Sequence, residues 1–253
     1  MTDFLIRWYL LAAALAQGNV LAHPIPAEIV FVAPLNHTMP MARWQSNTLA
    51  GGILMDLGQA IASRLHVNLR FISVPAKRVA ITLAEGRADA VCYVMPGWIE
   101  GDFVWTRPFL PDVGIVVASK SAREVHSLED LAGVRVGTVL GYRYRLIERV
   151  LGEKFVRDDG PSMQRTLEKM ELGRVQYGIV ERTTMDWHLR SQPNSQLRVE
   201  FVLESFHAQC ALARSSTFSL NQIDQVIGTI VADGTLGAIL ARYRGDGLDP
   251  AAR

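Results

Sequence analysis

The chain has 253 residues, 26 Lys and Arg against 25 Asp and Glu, and 49% hydrophobic residues. That length supports one large domain or two small lobes with cores of their own, and the composition excludes a disordered or low-complexity chain. The formal net charge of +1 gives no electrostatic reason to expect nucleic acid or an anionic membrane surface as a partner.

Arg7, the apolar run 8–16 and the small-residue ending Val20-Leu21-Ala22 form the pattern of a secretory signal. Residues 1–22 are therefore expected to be removed, leaving a periplasmic chain that begins at His23. The apolar run is too short for a permanent bilayer helix; a retained anchor or a buried helix is the alternative. No cysteine near Ala22 offers a lipid attachment point.

The apolar, β-branched run 28–33 (EIVFVA) predicts a buried strand, followed by a turn-rich loop through Asn47. Ile53, Leu57, Ile61 and Leu65 recur at helical spacing. A strand over 69–74, a helix over 78–85 stopped by Gly86, and a strand over 88–94 complete a β-α-β-α-β alternation, which implies a parallel sheet with helices on both faces. After a strand at 114–119 a second unit begins. Ser127 is the expected N-cap of a helix, with Asp130 completing a variant capping box. A strand over 134–139, a lead-in at 141–144 to a helix through Leu151, a helix over 161–172 and a strand over 175–180 repeat the first layout. The chain then returns through a strand at 208–213 and helices from Leu220 and Thr235.

Two α/β units, the first resumed at the C-terminus, imply two chain crossings, a hinge and a cleft between two lobes. The expected fold class is thus α/β, with lobe 1 made of 23–111 and 206–253 and lobe 2 of 112–205. No H-E-x-x-H, G-x-S-x-G, phosphate-cradling glycine loop or Cys-x-x-Cys occurs, so no metal, cofactor or catalytic constellation is expected.

Seven segments in order carry a family resemblance. They are Pro40, GGILMDLGQAIASRL (51–65), LAEGRADAV (83–91), TRPF (106–109), SLEDLAGVRVGTVLGY (127–142), ELGRVQYGIVE (171–181) and DGTLGAILARYRGDG (233–247). With them the chain resembles the family 3 extracellular solute-binding proteins. The resemblance implies the two-lobed periplasmic binding protein fold, a small polar solute in the cleft, monomeric action, and delivery to an ABC-type importer or signalling to a membrane sensor. A dehydratase of the cyclohexadienyl type on the same fold is the enzymatic alternative.

Departures from the family pattern bear on the ligand. The arginine that holds an amino-acid carboxylate falls at Gly101, beside Glu100. The hydroxyl residues after the third strand are replaced by Tyr93, Val94 and Pro96, and the aromatic after the loop proline is Met41. Tyr142 and Arg143 replace the threonines that open a second-lobe helix. Only the acidic residue that meets a ligand amine keeps its character, as Glu181.

Among the candidate ligand-binding residues, Glu181 is assigned to a ligand cation, with an ion pair to Arg182 or Arg143 as the alternative. Gly141, Tyr142 and Arg143 open a helix and form a candidate anion seat, unless Arg143 points to solvent. Arg78 is a candidate contact or an ordinary surface arginine. Tyr93, Trp98 and Trp44 are candidate aromatic walls, and packing under loops is the alternative for each. Cys92 and Cys210 lie on strands that the fold can set side by side; two buried free thiols are the expectation.

Overall fold

The structure is a computed structural model that describes residues 28–244. The expected signal segment and the start at His23 lie outside the described residues.

In lobe 1, β1 (Glu28–Pro34) is followed by a hairpin of β2 (Arg43–Gln45) and β3 (Thr48–Gly51), then α1 (Ile53–Leu65), β4 (Asn68–Val74), α2 (Val79–Ala84), β5 (Ala90–Val94) and β6 (Val104–Trp105). β7 (Leu110–Ser119) leads into lobe 2, which continues with β8 (Arg135–Val139), α3 (Arg145–Leu151), β9 (Val156–Gly160), α4 (Met163–Glu171), β10 (Tyr177–Glu181) and α5 (Arg182–Ser191). β11 (Leu197–Leu212) returns to lobe 1, which closes with α6 (Leu220–Ala232) and α7 (Thr235–Tyr243).

The strand order is β4-β1-β5-β11-β7-β10-β8-β9, with β6 added on β11. β1 pairs in parallel with β4 and β5, and β8 pairs in parallel with β9 and β10. The long β11 is antiparallel to β5 at its end and to β7 along most of its length. β7 and β11 are therefore the two crossings, and Asp112 faces Phe206 at the point where the chain passes between lobes. Each lobe buries apolar side chains on both faces of its part of the sheet, as strands covered on two sides must. Ile29, Phe31, Ile53, Leu57 and Ile61 build one lobe 1 core, and Val30, Val32, Val79 and Leu83 the other. Val116, Leu131, Val136 and Ile147 build one lobe 2 core, and Ile115, Val117, Leu167 and Met185 the other.

Three local expectations are corrected. Asp130 Oδ2 does accept from the backbone N–H groups of His126 and Ser127, at 2.9 and 3.1 Å. These bonds introduce only a 3-10 turn at Glu129–Leu131 before β8 begins, not an α-helix. α5, β9 and the hinge half of β11 were not expected. Cys92 and Cys210 form a disulfide rather than two free thiols, because the antiparallel register of β5 and β11 sets them directly opposite, with Cα atoms 4.0 Å apart.

Candidate functional site

Four loops meet between the lobes, each leaving the carboxyl end of a strand, which is where open α/β sheets place ligands. β1 delivers Asn36 and His37, β5 delivers Tyr93 and Trp98, β8 delivers Gly141 to Tyr144, and β10 ends on Glu181. Together they line one shared space between the lobes.

The lobe 1 wall is aromatic, and a bulge shapes it. Val94 opposes Gln209 and Cys92 opposes Cys210, so Tyr93 is left without a partner. Its φ of +62° is rare for a residue with a side chain. Cys92 and Tyr93 consequently pack into the same core instead of alternating across the sheet. The re-aimed Tyr93 ring meets His37 edge-on at 5.6 Å and lies 6.5 Å from Trp98, which packs edge-on against Phe206 at 5.1 Å. The Tyr93 hydroxyl donates to Asp112 Oδ2 at 2.6 Å. Asp112 also accepts from the Thr183 hydroxyl at 2.6 Å and from the backbone N–H groups of Val113 and Thr183, at 2.8 and 3.3 Å. One buried carboxylate on the hinge strand thus ties lobe 1 to the start of α5. Burial pushes its pKa up while these hydrogen bonds pull it down, with burial dominant.

The lobe 2 wall has Tyr142 and Tyr144, with ring centroids 6.4 Å apart. The Tyr144 hydroxyl accepts from the Val139 N–H at 2.8 Å, and Arg157 stacks on the Tyr144 ring at 5.1 Å. Arg157 is engaged by Asp159 and by the carbonyls of Val139 and Tyr142. Glu181, 6% exposed, sits at the base of this wall. Burial, reinforced by the Asp112 charge, raises its pKa well above the ordinary carboxylate range. Glu181 in turn helps to raise the hydroxyls of Tyr93, Tyr142 and Tyr144. His37 is held neutral, its pKa lowered to about 4 by burial.

The lobes touch across the cleft. Asn36 Nδ2 donates to the Tyr142 hydroxyl oxygen at 2.8 Å, and Arg143 pairs with Glu100 at 2.5 Å.

Of the residues singled out from sequence, Glu181, Gly141, Tyr142, Arg143, Tyr93 and Trp98 line this space. Trp44 and Arg78 do not: Trp44 donates its indole N–H to the His37 carbonyl at 2.7 Å, behind the wall, and Arg78 is exposed at the start of α2. Neither alternative partner reaches Glu181, since Arg182 pairs with Asp186 and Arg143 with Glu100. Gly101 does not line the space. Its φ is +148°, and a Cβ there would lie 2.5 Å from Phe103 Cζ. Asn36, His37, Phe206 and the Asp112–Thr183 pair were missed. Asn36 and His37 come directly after the β1 carboxyl end, a position that the strand-end rule could have flagged. Among the described residues no three His, Cys, Asp or Glu converge as metal ligands.

A sequence profile for the bacterial extracellular solute-binding proteins, family 3, matches residues 30–246. The chain belongs to that family. An ancestral arginine-binding protein bound to arginine superposes with a TM-score of 0.76 at 19% identity, over 87% of this chain and 100% of that one. A Salmonella typhimurium periplasmic binding protein of high arginine specificity gives 0.73 at 14%, over 87% and 100%. An ancestral amino acid-binding protein, a precursor of cyclohexadienyl dehydratase, gives 0.73 at 16%, over 87% and 96%. At these identities the likeness establishes the fold alone. No curated protein matches the sequence. Family 3 membership and the two-lobed fold make this chain a binder of small solutes.

Proposed function

We propose that this family 3 protein works in the periplasm as a monomer, closes its lobes around one small solute without transforming it, and hands it to an ABC-type permease. On this reading the lobes divide near 111/112 and 205/206, and the pairing of β7 with β11 there supports it. The observation that carries this reading is an enclosed cleft whose two walls come from different lobes and are held together by Asn36–Tyr142 and Arg143–Glu100. The Cys92–Cys210 disulfide supports an oxidising compartment. A ligand that bridges both walls stabilises the closed form by its differential affinity for it. Small-angle scattering combined with thermal shift tests this. A bound solute should reduce the radius of gyration and raise the melting temperature together. A solute that raises neither, across a broad metabolite panel, counts against it.

One observation favours the dehydratase as a second reading: a buried carboxyl at Glu181, its pKa pushed up by burial, is the kind of group that can donate a proton. Against it, a dianionic substrate such as prephenate needs cations, and Arg143, already paired, is the one Lys or Arg among the described lining residues. Prephenate incubated with the protein should decay at its spontaneous rate. Phenylpyruvate release that Glu181→Gln abolishes would establish the enzyme.

A further inference from the structure

Given the solute-binding reading, we infer that the cleft selects an organic ammonium ion that carries no carboxylate, its nitrogen at Glu181 and its apolar or aromatic body between the facing ring walls.

Two acceptors on lining residues have no donor. No side chain or backbone N–H among the described residues hydrogen-bonds the Glu181 carboxyl, in contrast to the four donors on Asp112. Asn36 Oδ1 is likewise buried and unpartnered, while its amide nitrogen is used on Tyr142. Buried acceptors left unpaired are costly, so a ligand that fits must bring donors. An ammonium group brings both N–H donors and the charge that a buried carboxylate needs. The rings of Tyr93, Trp98 and Tyr142 line the same volume, which suits a cation on an apolar frame.

The same space repels a carboxylate. The resemblance sets the family arginine at Gly101, and Phe103 fills the room for a side chain there. Arg157 is spent behind Tyr144. Arg143 sits half-exposed at the mouth against Glu100, while Glu181 and Glu204 both carry acid into the lining. An amino acid bound at Glu181 would bury its carboxylate with no unpaired cation in the described lining, a cost that binding has to overcome.

The groups around Glu181 set the proton linkage. Asp112 faces it from β7, His37 and Tyr93 from lobe 1, Tyr142 and Tyr144 from lobe 2, and Glu204 from β11. His37 is lowered and the tyrosine hydroxyls are pushed upward, while burial raises both Glu181 and Asp112, so these two carboxyls are the groups here that take up or release a proton. An arriving ammonium ion converts Glu181 from carboxyl to carboxylate, and that proton leaves to solvent.

Calorimetry of the full exported protein tests this with 2-phenylethylamine, tyramine, cyclohexylmethylamine and choline, against 3-phenylpropionate, 2-phenylethanol and L-phenylalanine. Phosphate and Tris buffers report the protons exchanged. At least one amine should bind about 100-fold more tightly than every non-amine and L-phenylalanine, with close to one proton released. Glu181→Gln should weaken that amine at least about tenfold and abolish the buffer dependence, while melting no lower than wild type without ligand. Tighter binding of L-phenylalanine or 3-phenylpropionate overturns the inference, above all if Arg143→Ala removes it. So does amine binding without proton release. Silence of all amines while a sugar, anion or amino acid compacts the protein sinks the ammonium reading and leaves solute binding standing. Silence of every class sinks both.

Discussion

Asn36 and Tyr142 meet across the cleft, the amide nitrogen of the first donating to the hydroxyl oxygen of the second at 2.8 Å. One lies just past β1 in lobe 1 and the other just before α3 in lobe 2, so this hydrogen bond exists only when the lobes are together. It belongs to closure and not to the stability of either lobe. A single neutral hydrogen bond contributes about 1 kcal/mol. Tyr142→Phe keeps the ring and removes that contact. Ligand affinity should fall roughly fivefold, with ligand-free melting unchanged. A large drop in ligand-free melting temperature would show that Tyr142 supports lobe 2 itself.

Asp112 is the corresponding node on the hinge strand. Its carboxylate accepts from Tyr93, Thr183 and two backbone N–H groups. Asp112→Asn turns one acceptor oxygen into an NH₂ group that faces existing donors. Urea unfolding should lose about 3 kcal/mol, because a buried polar network is left with mismatched partners. Thr183→Val should lose about 1 kcal/mol. Equal stability of Asp112→Asn and wild type would mean that water satisfies this site.

The legible parts of the fold were those whose period is strong and local. Ile53, Leu57 and Ile61 announce α1. α5 was silent: its residues Arg182–Ser191 are mostly polar, and it starts on Glu181 with no side-chain cap. The hinge half of β11 was silent because Val202, Glu204 and Ser205 cross between lobes with no covered face to impose alternation. Tyr93 was readable as a wall residue, but its aim depends on a bulge set by the distant Gln209. Trp44 and Arg78 came from proximity along the chain, and proximity does not fix the side of a wall. The Cys92–Cys210 bond needs the same long-range register, which spacing within one segment does not encode.

His37 makes stability depend on pH. Burial lowers its pKa to about 4 from 6.5, so the unfolded chain binds a proton that the folded chain refuses. The unfolded state gains protons as pH falls, and stability is therefore present above 6.5 and lost between 6.5 and 4. The loss attributable to this group is roughly 3 kcal/mol. His37→Gln should flatten that part of the profile in denaturant titrations at pH 7, 5.5 and 4.5. An unchanged slope would mean that His37 is hydrated in solution.

The disulfide gives a test by reduction. It closes a long segment, 118 residues apart in sequence, and so restricts the unfolded chain. Cys92→Ser with Cys210→Ser should lower stability by about 2–4 kcal/mol. Reductant should shift the wild type toward the same melting temperature, and unreduced protein should show no free thiol. A free-thiol count of two would restore the expectation of unbridged cysteines.

Gly101 offers the sharpest contrast with the amino-acid binders that the sequence resembles, since the resemblance sets it where their carboxylate-holding arginine is expected. Restoring that side chain by substitution should fail. The backbone φ of +148° disfavours any residue with a Cβ, and that Cβ would meet the Phe103 ring at 2.5 Å. Gly101 is exposed but Phe103 is buried, so the ring has little room to withdraw. Gly101→Arg should therefore cost about 2 kcal/mol in urea unfolding. The guanidinium would project from a loop outside the lining of the cleft, beside Glu100 and Asp102, which would hold it at the surface. No gain in affinity for any of the twenty amino acids should accompany the loss. A variant that folds normally and acquires amino-acid binding would show that the loop re-forms around the arginine, and that the missing clamp is a matter of one residue and not of the rebuilt wall.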